Sequence, residues 1–195
     1  MSSIIEYTLS MIIGAAIMMI LVRAQEQTAE ATMLASNDQS VQSLCASTAE
    51  VIEYDMANIG DGVTAGSPAV LTADSSRVVF LTDLNDDGGI PDTITYYTGD
   101  STTVTSTPNT HDRHLFRRTN LTPVQKIGLV TRFIFRYATR TGEILTMPVS
   151  SIRRIEIYTI EFSMEVQSPS GVTAHVGGNP SKYSSAFWQR TFALN

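Results

Sequence analysis

Glu6 is the only charged residue in the first 22 positions, and sixteen uncharged residues, "YTLSMIIGAAIMMILV" (7–22), follow it directly. A carboxylate at the edge of so apolar a run is costly in hydrocarbon unless it meets a cation or stays at a polar boundary. Glu6 therefore has two readings: half of an ion pair completed by another chain, or a group at headgroup level that also favours the start of a helix. A second candidate lies in "DLNDDGGIPD". Asp83, Asn85, Asp87 and Gly88 match the first, third, fifth and sixth positions of a calcium loop, with oxygen ligands for a hard cation and glycine at the sharp turn. Position twelve is Ile94 where a bidentate glutamate is usual, and Asp92 is the carboxylate that could replace it. The same residue types are expected at a plain turn between two strands.

The charges are segregated along the chain. Residues 113–154 hold Arg113, Arg117, Arg118, Arg132, Arg136 and Arg140, with Lys126, Arg153 and Arg154, against Glu143 alone; residues 24–62 hold seven acids and no Lys or Arg. The basic block could bind an anionic ligand such as DNA, with Tyr and Phe interleaved as stacking partners. It could instead face the acidic stretch of its own or a neighbouring subunit and set register. The segregation favours the second reading, as does a net charge of −6, so nucleic acid is not the favoured partner. His111, His114 and His175 sit in polar or Gly-rich loops and read as solvated side chains. Cys45 is the lone cysteine, which excludes an intrachain disulfide, and reads as a small apolar residue on the packed side of a helix. Asn120 opens the glycan acceptor tripeptide "NLT". No nucleophile elbow, phosphate loop, dinucleotide fingerprint or zinc-protease motif occurs, so a non-catalytic protein is expected.

Two kinds of element must carry these groups. Residues 4–59 contain no proline and a single glycine, Gly14, and "GDG" at 60–62 is a natural stop, which predicts one helix of about 55 residues spanning roughly 80 Å. Its uncharged run covers about 24 Å, a short anchor for a hydrocarbon layer of roughly 30 Å. With no basic residue before Arg23, the segment reads as retained rather than cleaved. Beyond Arg23, Leu34, Val41, Cys45, Thr48, Ile52, Met56 and Ile59 recur at helical steps, the pattern of an amphipathic helix laid on a partner.

After Gly60 come β-type runs: "AVLTA", "RVVFLT", "DTITYYT", "HLFRRT", then "LVTRFIFRY", "RRIEIYTIEFSMEV" and "AFWQRTFAL". Phe133, Phe135 and Tyr137 share one side of a strand, Arg132 and Arg136 the other. In residues 155–166 the alternation slips around Tyr158 and Thr159, which predicts a bulge. The tract "STTVTSTPNT" reads as an exposed loop. The expected fold is α+β: a long N-terminal helix, apolar and then amphipathic, packed on an antiparallel sheet. Residues 1–60 form a stem, with 1–23 its apolar segment, and residues 61–195 a β-rich head.

"SSIIEYTLSMIIGAAIMMILVRAQ" resembles the N-terminal helix of the type IV pilin and pseudopilin superfamily, in which a glutamate near the mature N-terminus precedes an apolar stretch and a long helical stem. The resemblance covers roughly residues 1–60, and the head ending in "AFWQRTFALN" is similar to the irregular heads of minor pilins and pseudopilins. It implies that Glu6 neutralises the N-terminal amine of a neighbouring subunit, on Met1 or Ser2 according to where the mature chain begins. It further implies a helix held in the inner membrane before assembly, then packed into the core of an extracellular filament by pilus or secretion machinery, with no cofactor required. From another class, the same layout suits a membrane-tethered binding module whose helix is only an anchor.

Overall fold

With no proline to remove a backbone donor, Ser2–Ala57 form one helix, α1, in a computed structural model that describes residues 2–84, 90–120, 123–169 and 183–194. At 1.5 Å per residue, α1 is about 84 Å long. From residue 3 to residue 40 it stands clear of the rest of the chain, with only Glu30 and Asn37 half-buried. Beyond that point Val41, Cys45, Thr48, Ala49, Ile52, Asp55 and Met56 form a buried stripe. Leu34 shares the phase of that stripe but not its fate: it is 36% exposed, because it lies two turns before the head begins.

The helix stops where glycine permits. The N–H groups of Asn58 and Ile59 donate to the carbonyls of Asp55 and Met56, tightening the last turn, and Gly60 then takes φ +93°, which disfavours a side chain. The Gly60 N–H donates to Leu81 at 2.9 Å, while the Thr82 hydroxyl donates to the Asn58 carbonyl at 2.7 Å. Orphan carbonyls at a helix end thus find partners in a strand.

Among the described residues eight strands follow in two antiparallel sheets. Strands β1 (Val70–Ala73), β2 (Arg77–Thr82), β3 (Asp92–Thr98), β4 (Arg113–Thr119) and β5 (Gln125–Val130) form a five-stranded meander in chain order. Strands β6 (Arg132–Ala138), β7 (Thr159–Gln167) and β8 (Ser185–Ala193) form the second sheet, in the order β6-β7-β8. The α+β architecture is the expected one, whereas the single sheet is corrected to two. The run "LVTRFIFRY" is divided at Thr131, whose N–H donates to Glu165 of β7 at 2.9 Å, so the chain changes sheets within one residue. A second seam joins the sheets where Phe135 N–H donates to Ser75 at 2.8 Å and Val149 N–H to Ala73 at 2.9 Å.

The core lies between the sheets and the last third of α1. Val78, Phe80, Ile94, Tyr96 and Leu115 face it from the first sheet; Phe133, Phe135, Tyr137, Ile160, Phe162 and Met164 face it from the second. Each large apolar side chain removed from water contributes roughly 1.5–3 kcal/mol before entropy is set against it. One glycine sets the closeness of the packing. A Cβ at Gly128 of β5 would stand 3.0 Å from the Thr48 hydroxyl oxygen, so only glycine lets that strand lie against the helix unshifted.

The bulge expected at Tyr158 and Thr159 is not there. Arg153–Glu156 form a short 3-10 helix with Ile155 58% exposed, and β7 begins at Thr159 with strict alternation. The apparent slip is the boundary between two elements. Register shifts occur instead between Val70 and Thr72 and between Leu115 and Phe116. The Ser/Thr tract is exposed over most of its length but pinned at its end. Asn109 is buried and donates to Gln167 of β7 at 3.1 Å, and Thr107 donates to the buried Asp112 at 2.6 Å.

Candidate functional site

Among the described residues, the free part of α1 is a continuous exposed surface from residue 3 to residue 40. Its large apolar side chains from Ile4 to Val22 are all at least half exposed, and it is long and apolar enough to cross a membrane. Its polar groups ask little of any partner. The hydroxyls of Ser10, Thr28, Thr32 and Ser40 each donate to the backbone carbonyl four residues earlier, at 2.8–2.9 Å, and the outward surface is apolar through Val22 and rich in exposed acids and amides from Arg23 to Ser40. Glu6 is an exposed member of this segment. Met1 lies outside the described residues, and of Ser2 only the helical backbone is described.

Near the C-terminal end of α1, two carboxylates hold it to the head. Asp55, 1% exposed, accepts Arg117 Nε at 2.6 Å, Arg117 Nη2 at 2.9 Å and the Tyr96 hydroxyl at 2.5 Å. The bidentate guanidinium supplies the geometry a buried carboxylate needs. The Asp55 hydrogen bond holds the Arg117 guanidinium well above its ordinary value, and burial, with the adjacent Asp55 charge, pushes the Tyr96 phenol far up as well. Glu53 accepts Trp188 Nε1 and Arg190 Nη1 of β8, both at 2.7 Å. The first carboxylate ties the helix to the five-stranded sheet and the second ties it to the three-stranded sheet.

The basic residues singled out in the sequence do not form one cluster. Arg113, Arg117 and Arg118 lie on β4; Arg132 and Arg136 lie on β6, and Arg140 follows it. Arg117 is turned inward to Asp55, so at that position the acidic stem of the same chain is the partner. Arg136 lies 3.6 Å from Glu161, and the Arg140 guanidinium stands 4.8 Å from the ring centroid of Tyr158. Arg153 pairs with Glu143 and Glu156 at 2.9 Å, and Arg154 bonds the carbonyls of Val149 and Leu71. Arg118 is exposed on the outer face of its sheet, as is Arg77, beside the half-buried Tyr97 and the buried Thr95.

Of the candidate calcium ligands, Asn85 and Asp87 lie outside the described residues. Asp92 accepts the Leu84 N–H at 3.3 Å and the side-chain amide of Asn120, whose own carbonyl oxygen accepts the Thr93 N–H at 2.6 Å. Among the described residues no three His, Cys, Asp or Glu side chains are grouped to hold a metal ion. His114 packs its ring against Phe116, at 5.9 Å between centroids, and His175 lies outside the described residues. Cys45 is buried in the helix stripe, where desolvation pushes its thiol pKa up.

Sequence reasoning missed the roles of Asp55, Glu53, Trp188 and Arg190. Asp55 carried a usable signal, since it lies three residues after Ile52 and four before Ile59, in phase with the apolar stripe. Glu53 carried none, because its partners lie 135 and 137 residues away.

No protein-family model matches the chain, and no curated protein does. Among solved structures it is similar to a type IV-like pilin from Thermus thermophilus, at 11% identity and a TM-score of 0.46, over 78% of this chain and 94% of that one.

Proposed function

We propose that the chain is a structural subunit of a type IV pilin-like filament, in the manner of a major pilin, a minor pilin or a secretion pseudopilin. One observation carries the proposal: an apolar helical segment, exposed on every side, continues without a break into the helix that forms part of the head's core. Such a segment needs lipid or copies of itself around it, and burial against copies would supply the driving force for assembly. In this reading residues 1–23 reside in the inner membrane before assembly and in the filament core afterwards. The assembly or secretion machinery moves them, and the heads remain outside the cell. Glu6 pairs with the N-terminal amine of a neighbouring copy, on Met1 or Ser2, which removes the cost of a lone carboxylate among apolar stems.

Electron microscopy of cells expressing the chain tests the reading. Filaments with the chain repeated along their core are expected; a dispersed membrane monomer under assembling conditions overturns the filament and leaves the tethered module. Glu6→Ala should abolish or greatly reduce filaments while the protein still reaches the membrane. Undiminished assembly would remove the role of Glu6 alone.

A further inference from the structure

The outer face of the five-stranded sheet carries a row of side chains that the stem does not reach. Arg77, Tyr97, Phe116 and Lys126 are successive cross-strand partners on β2, β3, β4 and β5, so all four project from the same face. The opposite face holds Tyr96 and Arg117, which meet Asp55 of α1. Tyr97 and Phe116 stack with their centroids 5.1 Å apart and 21° between planes. In the next row Arg118 stands opposite Thr95, and Arg77, Thr95, Tyr97 and Arg118 line a recess of ≈ 290 Å³. No carboxylate balances these cations from within the sheet. Its strands contain five basic residues and one acid, Asp92, which stands at the far end of β3 and is engaged by Leu84 and Asn120.

Half-buried aromatic rings on the outer face of a sheet, flanked by cations and bordering a hollow, are what a flexible polyanion with planar rings requires: bases stack and phosphates meet guanidinium or ammonium groups. We propose that this face binds a single-stranded polynucleotide, with a base against Tyr97 in the recess and adjacent phosphates on Arg77, Arg118 and Lys126. A duplex hides its base faces and cannot use the rings. An acidic polypeptide, such as the stem of another copy, would satisfy the cations and leave the rings idle. The site belongs to the head of a single chain and stands whether or not the stems assemble.

The test is fluorescence anisotropy of a labelled oligothymidylate of about 12 nucleotides, titrated with the full chain as a detergent-solubilised monomer. Binding should weaken about tenfold in Tyr97→Ala and in Tyr97→Leu, the second keeping an apolar side chain in place, and stay within about twofold in Tyr97→Phe. Arg118→Ala should weaken binding and lower the salt slope by about 0.7. Arg136→Ala, on the other sheet, should change neither. Any one of four results overturns the proposal: no binding at low salt, unchanged binding in a folded Tyr97→Leu, equal affinity for a duplex of the same length, or displacement of the oligonucleotide by an equimolar peptide of residues 24–50.

Discussion

On the three-stranded sheet each arginine of β6 faces a glutamate of β7, Arg132 opposite Glu165 and Arg136 opposite Glu161, whereas the outer face of the five-stranded sheet presents Arg77, Arg118 and Lys126 with no carboxylate between them. The two sheets also differ in how they hold the helix. Asp55 reaches the five-stranded sheet through a buried, bidentate contact, while Glu53 reaches the three-stranded sheet through Trp188 and Arg190, with the arginine half exposed. Charge in the first sheet is thus divided by depth: one arginine is spent inward on the helix and the outward ones are left in surplus. In the second sheet charge is neutralised across strands, which leaves a wet and balanced face. The same residue type fastens the helix from within in one sheet and meets a glutamate in water on the other, and burial decides between those roles.

That contrast is broken most directly at Arg117. Replacing it with alanine strands a buried carboxylate and should cost about 3–5 kcal/mol, read from urea denaturation of the full chain in mild detergent with Trp188 fluorescence. A loss below about 1 kcal/mol would mean that Asp55 is not held as described. Glu53→Ala removes the acceptor of two donors on β8 and should cost about 1–3 kcal/mol by the same measurement. Gly128→Ala forces a methyl group toward Thr48 and should cost about 1–3 kcal/mol. Pairing it with Thr48→Ala should recover part of that loss, whereas strictly additive losses would show that the two positions do not press on each other. Arg136→Ala, at an exposed pair, should shift stability by no more than about 0.5 kcal/mol, and a cost near that of Arg117→Ala would erase the distinction between the sheets.

The smallest effect concerns the loop pinned between the sheets. Burial pushes the Asp112 carboxyl above its ordinary value, with the Thr107 hydrogen bond opposing the shift. The folded chain therefore holds that proton more tightly than the unfolded one, and stability is lost as pH rises from the ordinary carboxylate range through the raised value. Asp112→Asn should flatten that decline in denaturation midpoints taken across weakly acidic pH. A slope equal to that of the unmodified chain would assign the decline to other carboxylates.

Much of the fold was legible because periodicity reports which way side chains face. The proline-free stem, its stop at Gly60, the strand positions and the inward set Phe133, Phe135 and Tyr137 all follow from spacing. Periodicity does not report who the neighbour is. The alternation through "LVTRFIFRY" runs on while the hydrogen-bond partner changes at Thr131, so two sheets read as one. Likewise Ile155 and Ile157 look continuous with β7, although Ile155 lies within a 3-10 helix and Ile157 caps its end. The row of Arg77, Tyr97, Phe116 and Lys126 depends on four strands being in register, and so no local stretch contains it. Glu6 was visible at once, because a lone carboxylate ahead of sixteen uncharged residues needs no fold to stand out.

Asp55 and Glu53 are two residues apart, about 200° around the helix, and so they grip α1 from opposite flanks of its buried stripe. A shaft held on one flank can roll; one held on both behaves as if keyed. The heading of the head about the helix axis is then a fixed angle that the free arm, residues 3–40, carries with it. Whatever seizes that arm also sets the compass bearing of both sheets, including the face that bears Tyr97.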